Sequence, residues 1–144
     1  MVIPDEPLEF RELCEKVGLA LIMGQKVQYS LVYFYSVYHQ VNSGWSKDKS
    51  KEKANFYLSK AMGNIVNAIK KDDCLDQKLF EQVIQFKKDR NWLAHDFDEE
   101  STRFLAVNER FQHYIDVMDN ITQQALLLIK NLDQVGKAMV PTGT

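Results

Sequence analysis

Hydrophobic positions recur at three- and four-residue spacings through four long stretches separated by polar breaks, and no stretch alternates with the period of a strand. The pattern therefore predicts an all-α protein, an up-and-down four-helix bundle, without an internal repeat. A first helix is expected to start after Pro7 and reach about His39, its stripe formed by Val17, Leu21, Val27, Leu31, Phe34 and Tyr38. Gly18 and Gly24 weaken that helix locally or allow close packing. A second apolar set, Ile22, Tyr29, Val32, Tyr33 and Val37, leaves little of the circumference polar. Such a helix must be buried on two sides, and a small bundle does this most simply by dimerising through helical faces.

The run Asn42-Ser-Gly-Trp-Ser breaks the chain before a second helix expected over roughly residues 52–71. Lys47, Lys49, Lys51 and Lys53 crowd the segment between. Two accounts of them stand: a solvated loop, or a phosphate-contacting edge for RNA with Trp45 as a base-stacking side chain. A third helix follows Asp72-Asp73 and ends near Ala94 or His95, carrying the stripe Leu79, Val83, Phe86, Leu93 and Phe97. Asp98-Glu-Glu-Ser-Thr then supplies a break and acidic residues for a fourth helix from about Thr102 to Gln134, on Phe104, Phe111, Met118, Ile121, Ala125 and Leu132. Beyond Gly136 the chain is expected to fray.

A chain of 144 residues can bury a core of its own, so residues 1–144 are read as one domain with an ordered core over about 8–135. Its 18 basic and 20 acidic residues give a formal charge of -2, which excludes the strongly cationic surface of a protein that coats nucleic acid and makes any RNA contact local. Cys14 and Cys74 lack paired spacing or a neighbouring His cluster; they are expected to be reduced packing residues in a cytoplasmic protein. His39 and His113 have no distinctive sequence neighbours and are expected at the surface or an interface, and three scattered histidines without acidic clustering predict neither a metal site nor another cofactor. The opening Met-Val-Ile-Pro-Asp-Glu-Pro has no basic start before an apolar core, unlike a secretion signal. The apolar stretch Val17 to Met23 is too short to span a bilayer, so no membrane association is expected.

One residue interrupts the third stripe. Arg90 falls among its apolar positions, and a guanidinium there must be paired, hydrated or used. His95 follows four residues after it, a side-chain type that can give and take protons near neutral pH. An anion-binding Arg beside an acid-base His suggests phosphoryl chemistry. On an ideal helix the two side chains diverge by about 140 degrees and 7.5 Å, whereas Asn91 and His95 share a face, with Phe80 and Ile84 pointing roughly the same way. A two-fold dimer would place two Arg and two His around one cleft and so remove the geometric problem. The purely structural account has Arg90 paired with Asp116 or Glu109 and His95 acting as a cap at the helix C-terminus.

The text around the pair, Lys-Asp-Arg-Asn-Trp-Leu-Ala-His-Asp-Phe (88 to 97), late in the third helix of a bundle, resembles the HEPN superfamily. The R-x4-6-H motif of that family is met by Arg90, Asn91 and His95. The resemblance covers the helical layout of most of the chain, but its specific residues span only Arg90 to Phe97. It implies a metal-independent endoribonuclease that dimerises to build its cleft, a toxin of a toxin-antitoxin or defence system, with Arg90, Asn91 and His95 catalytic. It also implies an antitoxin or nucleotidyltransferase partner. Family toxins often carry a Tyr two residues after the His that such a partner modifies; Phe97 stands there in this chain. Other family members only bind nucleotides or proteins, and a non-catalytic module is the competing expectation.

Overall fold

A computed structural model describes residues 8–105 and 111–140, and for 103–105 the helical backbone only. Among the described residues every regular element is a helix, and there are six: α1 (Leu8–Asn42), α2 (Lys47–Leu58), α3 (Met62–Asp72), α4 (Gln77–His95), α5 (Phe97–Leu105) and α6 (Phe111–Met139). The all-α expectation holds, while the division into four helices does not. The long first helix is the spine. It packs most extensively on α6, with α2, α3 and α4 also against it, and α4 is wedged between α1, α3 and α6.

The stripes explain this arrangement. Val27, Leu31 and Phe34 of α1, Ile65 and Ile69 of α3, Val83 and Phe86 of α4, and Met118, Ile121, Leu128 and Leu132 of α6 are almost wholly removed from water and join one core. Removing such side chains from water gives roughly 1.5 to 3 kcal/mol apiece. On α1, however, the second apolar set divides. Val32 and Val37 are buried, whereas Tyr29 and Tyr33 stay 62% and 66% exposed and Ile22 is also exposed, leaving an apolar strip on the free side of the spine.

The second helix expected over 52–71 is two helices, starting earlier. Ser46 sits in an extended conformation and its hydroxyl accepts the Lys49 backbone N–H, a side-chain N-cap that turns the lysine-rich segment into the first turns of α2 instead of a loop. Asp48 in that first turn suits the positive end of the helix dipole. The break after Leu58 is held from another helix: the buried Gln28 of α1 donates its side-chain amide to Tyr57 O in the last turn of α2 (3.1 Å) and to Lys60 O just beyond it (2.8 Å). An interhelical cap of that kind leaves no sequence signature within 52–71.

Helix α3 ends at Asp73, which takes up a left-handed conformation (φ 52°) as C-cap. Asp76 caps the next helix, its carboxylate accepting Leu79 N–H at 2.9 Å. The acidic run Asp98, Glu99 and Glu100 forms the first turn of the short α5, where a break was expected, and the long final helix is described from Phe111. That helix continues through Gly136 to Met139, three residues beyond the expected start of fraying. Phe104 lies outside the described side chains. No helix among the described residues is long and apolar enough to cross a membrane.

Candidate functional site

The motif helix α4 ends at His95, as its stripe predicts, with Leu79, Val83, Phe86 and Leu93 buried. Arg90 is half-buried on this face, and its stem lies across α1 at Gly24, where α1 has no side chain. A Cβ added to Gly24 would sit 3.2 Å from Arg90 Cγ and 3.9 Å from Nε. The glycine therefore forms a notch that admits the aliphatic part of the arginine, the use of Gly24 for close packing that the sequence left open. Among the described residues no carboxylate ion-pairs with this guanidinium. Asp116 is exposed and accepts the Gln112 side-chain amide at 2.8 Å instead, and Glu109 lies outside the described residues.

Asn91 is half-buried and His95 exposed, one turn apart on a shared face at the end of α4. His95 is the last residue of that helix. The end is held by an aromatic group that the motif itself supplies. Trp92 meets Phe97 edge to face at 5.5 Å and Phe97 meets Tyr114 of α6 at 5.3 Å, while Tyr114, buried, donates its hydroxyl to Glu100 at 3.1 Å. Phe97 is thus a packing residue, joining α4 and α5 to α6.

The lysines are not gathered at this end. Lys47 and Lys51, four residues apart on α2, line a groove of about 430 Å³ between α1 and α2 together with Tyr29, Tyr33, Ser36 and Gln40. The Ser36 hydroxyl is buried there without a hydrogen-bond partner. Lys49 turns the other way and places its ammonium 5.3 Å from the Trp45 ring centre, and Lys53 is half-buried. Trp45 itself has one face covered: His39 stacks on it at 4.3 Å with 15° between the planes. Arg90, Asn91 and His95 line no part of this groove.

No protein-family model, curated protein or solved structure matches the chain.

A second cluster went unread in the sequence. His39, expected at the surface, has a side chain only 12% exposed and is held at both ring nitrogens, Nδ1 2.8 Å from Ser43 Oγ and Nε2 2.8 Å from Asp72 Oδ2. The Tyr35 hydroxyl donates to the same Asp72 oxygen at 2.5 Å. Cys74, half-buried, completes the group, so that ligand-type atoms of His39, Asp72 and Cys74 all lie within 4.8 Å of one another. The donated Tyr35 hydrogen bond, and after it the His39 contact, hold the Asp72 carboxyl below the usual range although partial burial opposes them. Burial, then Asp72 and Asp73, push the Cys74 thiol up to about 12. Cys14 is exposed, contrary to the packing role expected of it, and neither cysteine is in a disulfide. The residues of the cluster come from two segments, 35–43 and 72–74, and only the spacings within each, Tyr35-x3-His39-x3-Ser43 and Asp72-x-Cys74, are visible along the chain.

Proposed function

We propose that the chain is a HEPN-like, metal-independent endoribonuclease that cleaves single-stranded RNA as a homodimer. One observation carries the reading: Arg90 is fixed by packing into the Gly24 notch yet keeps its charge without a carboxylate partner among the described residues. A positioned, unneutralised guanidinium is what a scissile phosphate requires. RNA brings its own nucleophile. His95 of one protomer removes the 2'-hydroxyl proton, O2' attacks phosphorus, the P–O5' bond breaks, and His95 of the other protomer protonates the departing 5'-oxygen. The products are a 2',3'-cyclic phosphate and a free 5'-hydroxyl. Arg90 stabilises the charge gathering on the non-bridging oxygens, and Asn91 orients the imidazole or a phosphate oxygen.

Dimerisation uses the exposed strip of Ile22, Tyr29 and Tyr33 on α1, because a single α4 cannot converge its own Arg and His. A cytoplasmic toxin or defence component, held silent by an antitoxin or a nucleotidyltransferase, is the setting this reading implies. Phe97, packed against Trp92 and Tyr114, offers no hydroxyl at the place where family toxins are modified, so control acts elsewhere.

The test is incubation of purified protein with mixed single-stranded RNA in EDTA, with fragments scored for 2',3'-cyclic ends. Arg90→Ala and His95→Ala should each lower the rate by about 10² to 10⁴ while circular dichroism stays native. Uncleaved RNA, or full activity in His95→Ala, rejects the mechanism.

The groove between α1 and α2 favours a second reading, a non-catalytic nucleotide-binding module. Lys47 and Lys51 suit phosphates, Tyr29 and Tyr33 suit a base, and the Ser36 hydroxyl lacks a partner. Nucleotide binding lost in Lys47→Ala and Lys51→Ala, without RNA cleavage by the wild type, selects it.

A further inference from the structure

We propose that His39 Nε2, a carboxylate oxygen of Asp72 and Cys74 Sγ form a binding site for a divalent ion of the zinc class. The donors are one nitrogen, one oxygen and one sulfur, a set of borderline softness that suits zinc or cobalt and does not suit magnesium or calcium. They reach one point from two helices and a turn. His39 comes from the last turn of α1 and Asp72 from the end of α3, and the left-handed Asp73 reverses the chain so that Cys74 follows beside them.

The spacing is near what one ion needs. Bond lengths of about 2.0 to 2.3 Å place neighbouring tetrahedral ligands roughly 3.3 to 3.6 Å apart. The Nε2 and Oδ2 atoms are now 2.8 Å apart, and all three donor atoms lie within 4.8 Å. The His–Asp pair must open by about half an ångström and the thiol move in by at most about one, which small side-chain rotations supply.

Outer contacts that orient metal ligands are in place. Ser43 Oγ holds His39 at Nδ1, leaving Nε2 as the coordinating atom, and the Tyr35 hydroxyl holds the Asp72 carboxylate. The stacked Trp45 ring and the edges of Tyr35 and Tyr38 fix the imidazole plane. Three protein ligands leave a fourth position for water. The Cys74 thiol proton, and the Nε2 proton in the tautomer that carries it, leave for solvent as the ion binds. The ion then ties the end of α1 to the turn after α3, about 22 Å along the spine from Gly24 by a helical rise of about 1.5 Å per residue, and so at a distance from Arg90, which crosses α1 at Gly24.

Cobalt(II) reports directly on sulfur and on geometry. The full chain carrying Cys14→Ser, which removes the other thiol, is stripped with chelator and titrated with cobalt(II) chloride. One equivalent should produce the visible bands of a four-coordinate ion and a near-ultraviolet sulfur-to-cobalt charge-transfer band, both discharged by zinc. Adding Cys74→Ser should abolish the charge-transfer band. Asp72→Asn and His39→Gln should weaken binding at least about tenfold, and Ser43→Ala or Tyr35→Phe by roughly 10- to 100-fold through the outer contacts. Zinc should raise the melting temperature of the parent but not of the Cys74→Ser protein. Absence of cobalt bands at stoichiometric metal overturns the proposal, as does zinc affinity that Cys74→Ser leaves unchanged. Because Cys74→Ser exchanges a single atom, it decides the matter even where His39→Gln fails to fold.

Discussion

Replacing Gly24 by alanine separates the seating of Arg90 from the general stability of the spine. In a helix interior alanine is favoured over glycine by about 0.8 to 1 kcal/mol, chiefly through backbone entropy. Gly18, on the same helix, has nothing within 4 Å of an added Cβ, so Gly18→Ala should deliver that gain in full, a rise in melting temperature of roughly 3 °C for a chain of this size. At Gly24 the same gain is opposed. The new methyl meets Arg90 Cγ at 3.2 Å, a few tenths of an ångström inside comfortable contact, and must displace a side chain that is half-buried between helices. The arginine can give, so the expected opposition is about 0.5 to 1 kcal/mol and the net change lies near zero. Removing the arginine stem removes the opposition. In the Arg90→Ala background, Gly24→Ala should recover the full glycine-to-alanine gain, and the double-mutant cycle should show a coupling of about 0.5 to 1 kcal/mol. Urea denaturation with a common m-value measures all four corners. Ribonuclease assays add the functional half: Gly24→Ala should reduce cleavage while stability hardly changes, and Gly18→Ala should leave it alone. A coupling indistinguishable from zero, with Gly24→Ala as stabilising as Gly18→Ala, would refute the notch and with it the idea that Arg90 is positioned by α1.

Three further outcomes test the architecture. Ser46→Ala should destabilise by about 1 kcal/mol in chemical denaturation and Ser46→Gly by only a few tenths, because the hydroxyl caps Lys49 N–H; equal stability of Ser46→Ala and wild type would return the lysine run to a loop. Gln28→Ala should lose about 2 kcal/mol, since its amide serves both Tyr57 O and Lys60 O, and hydrogen exchange should quicken at the end of α2 and not in α6. In metal-free protein the Asp72 carboxyl titrates below its unfolded value, so its stabilisation is complete above about pH 4 and is lost as pH falls through the folded value. Wild type and Asp72→Asn should therefore converge on acidification, and a constant gap down to the lowest pH at which the fold survives would show that the carboxylate is not held by Tyr35 and His39.

The helical class, the start of α1, the end of α4, and the buried faces of α4 and α6 were legible in the sequence because each depends on a local signal. Val83, Phe86 and Leu93 fall on one side of α4 whatever that helix packs against, and so does Arg90, whose intrusion into the stripe could be noticed from spacing alone. The residues that answer Arg90 could not be found in this way. Gly24 lies 66 positions earlier on another helix, and whether a glycine there is a weakness or a notch depends on what crosses it. The same holds for the break after Leu58, held by Gln28, and for the meeting of His39 with Asp72 and Cys74, which look scattered along the chain until α1 and α3 are packed together. Local hydrogen bonding and burial periodicity are written within a few residues. Partners across helices are fixed only when side chains compete for the same space in the closed core, and that competition is settled by tertiary structure.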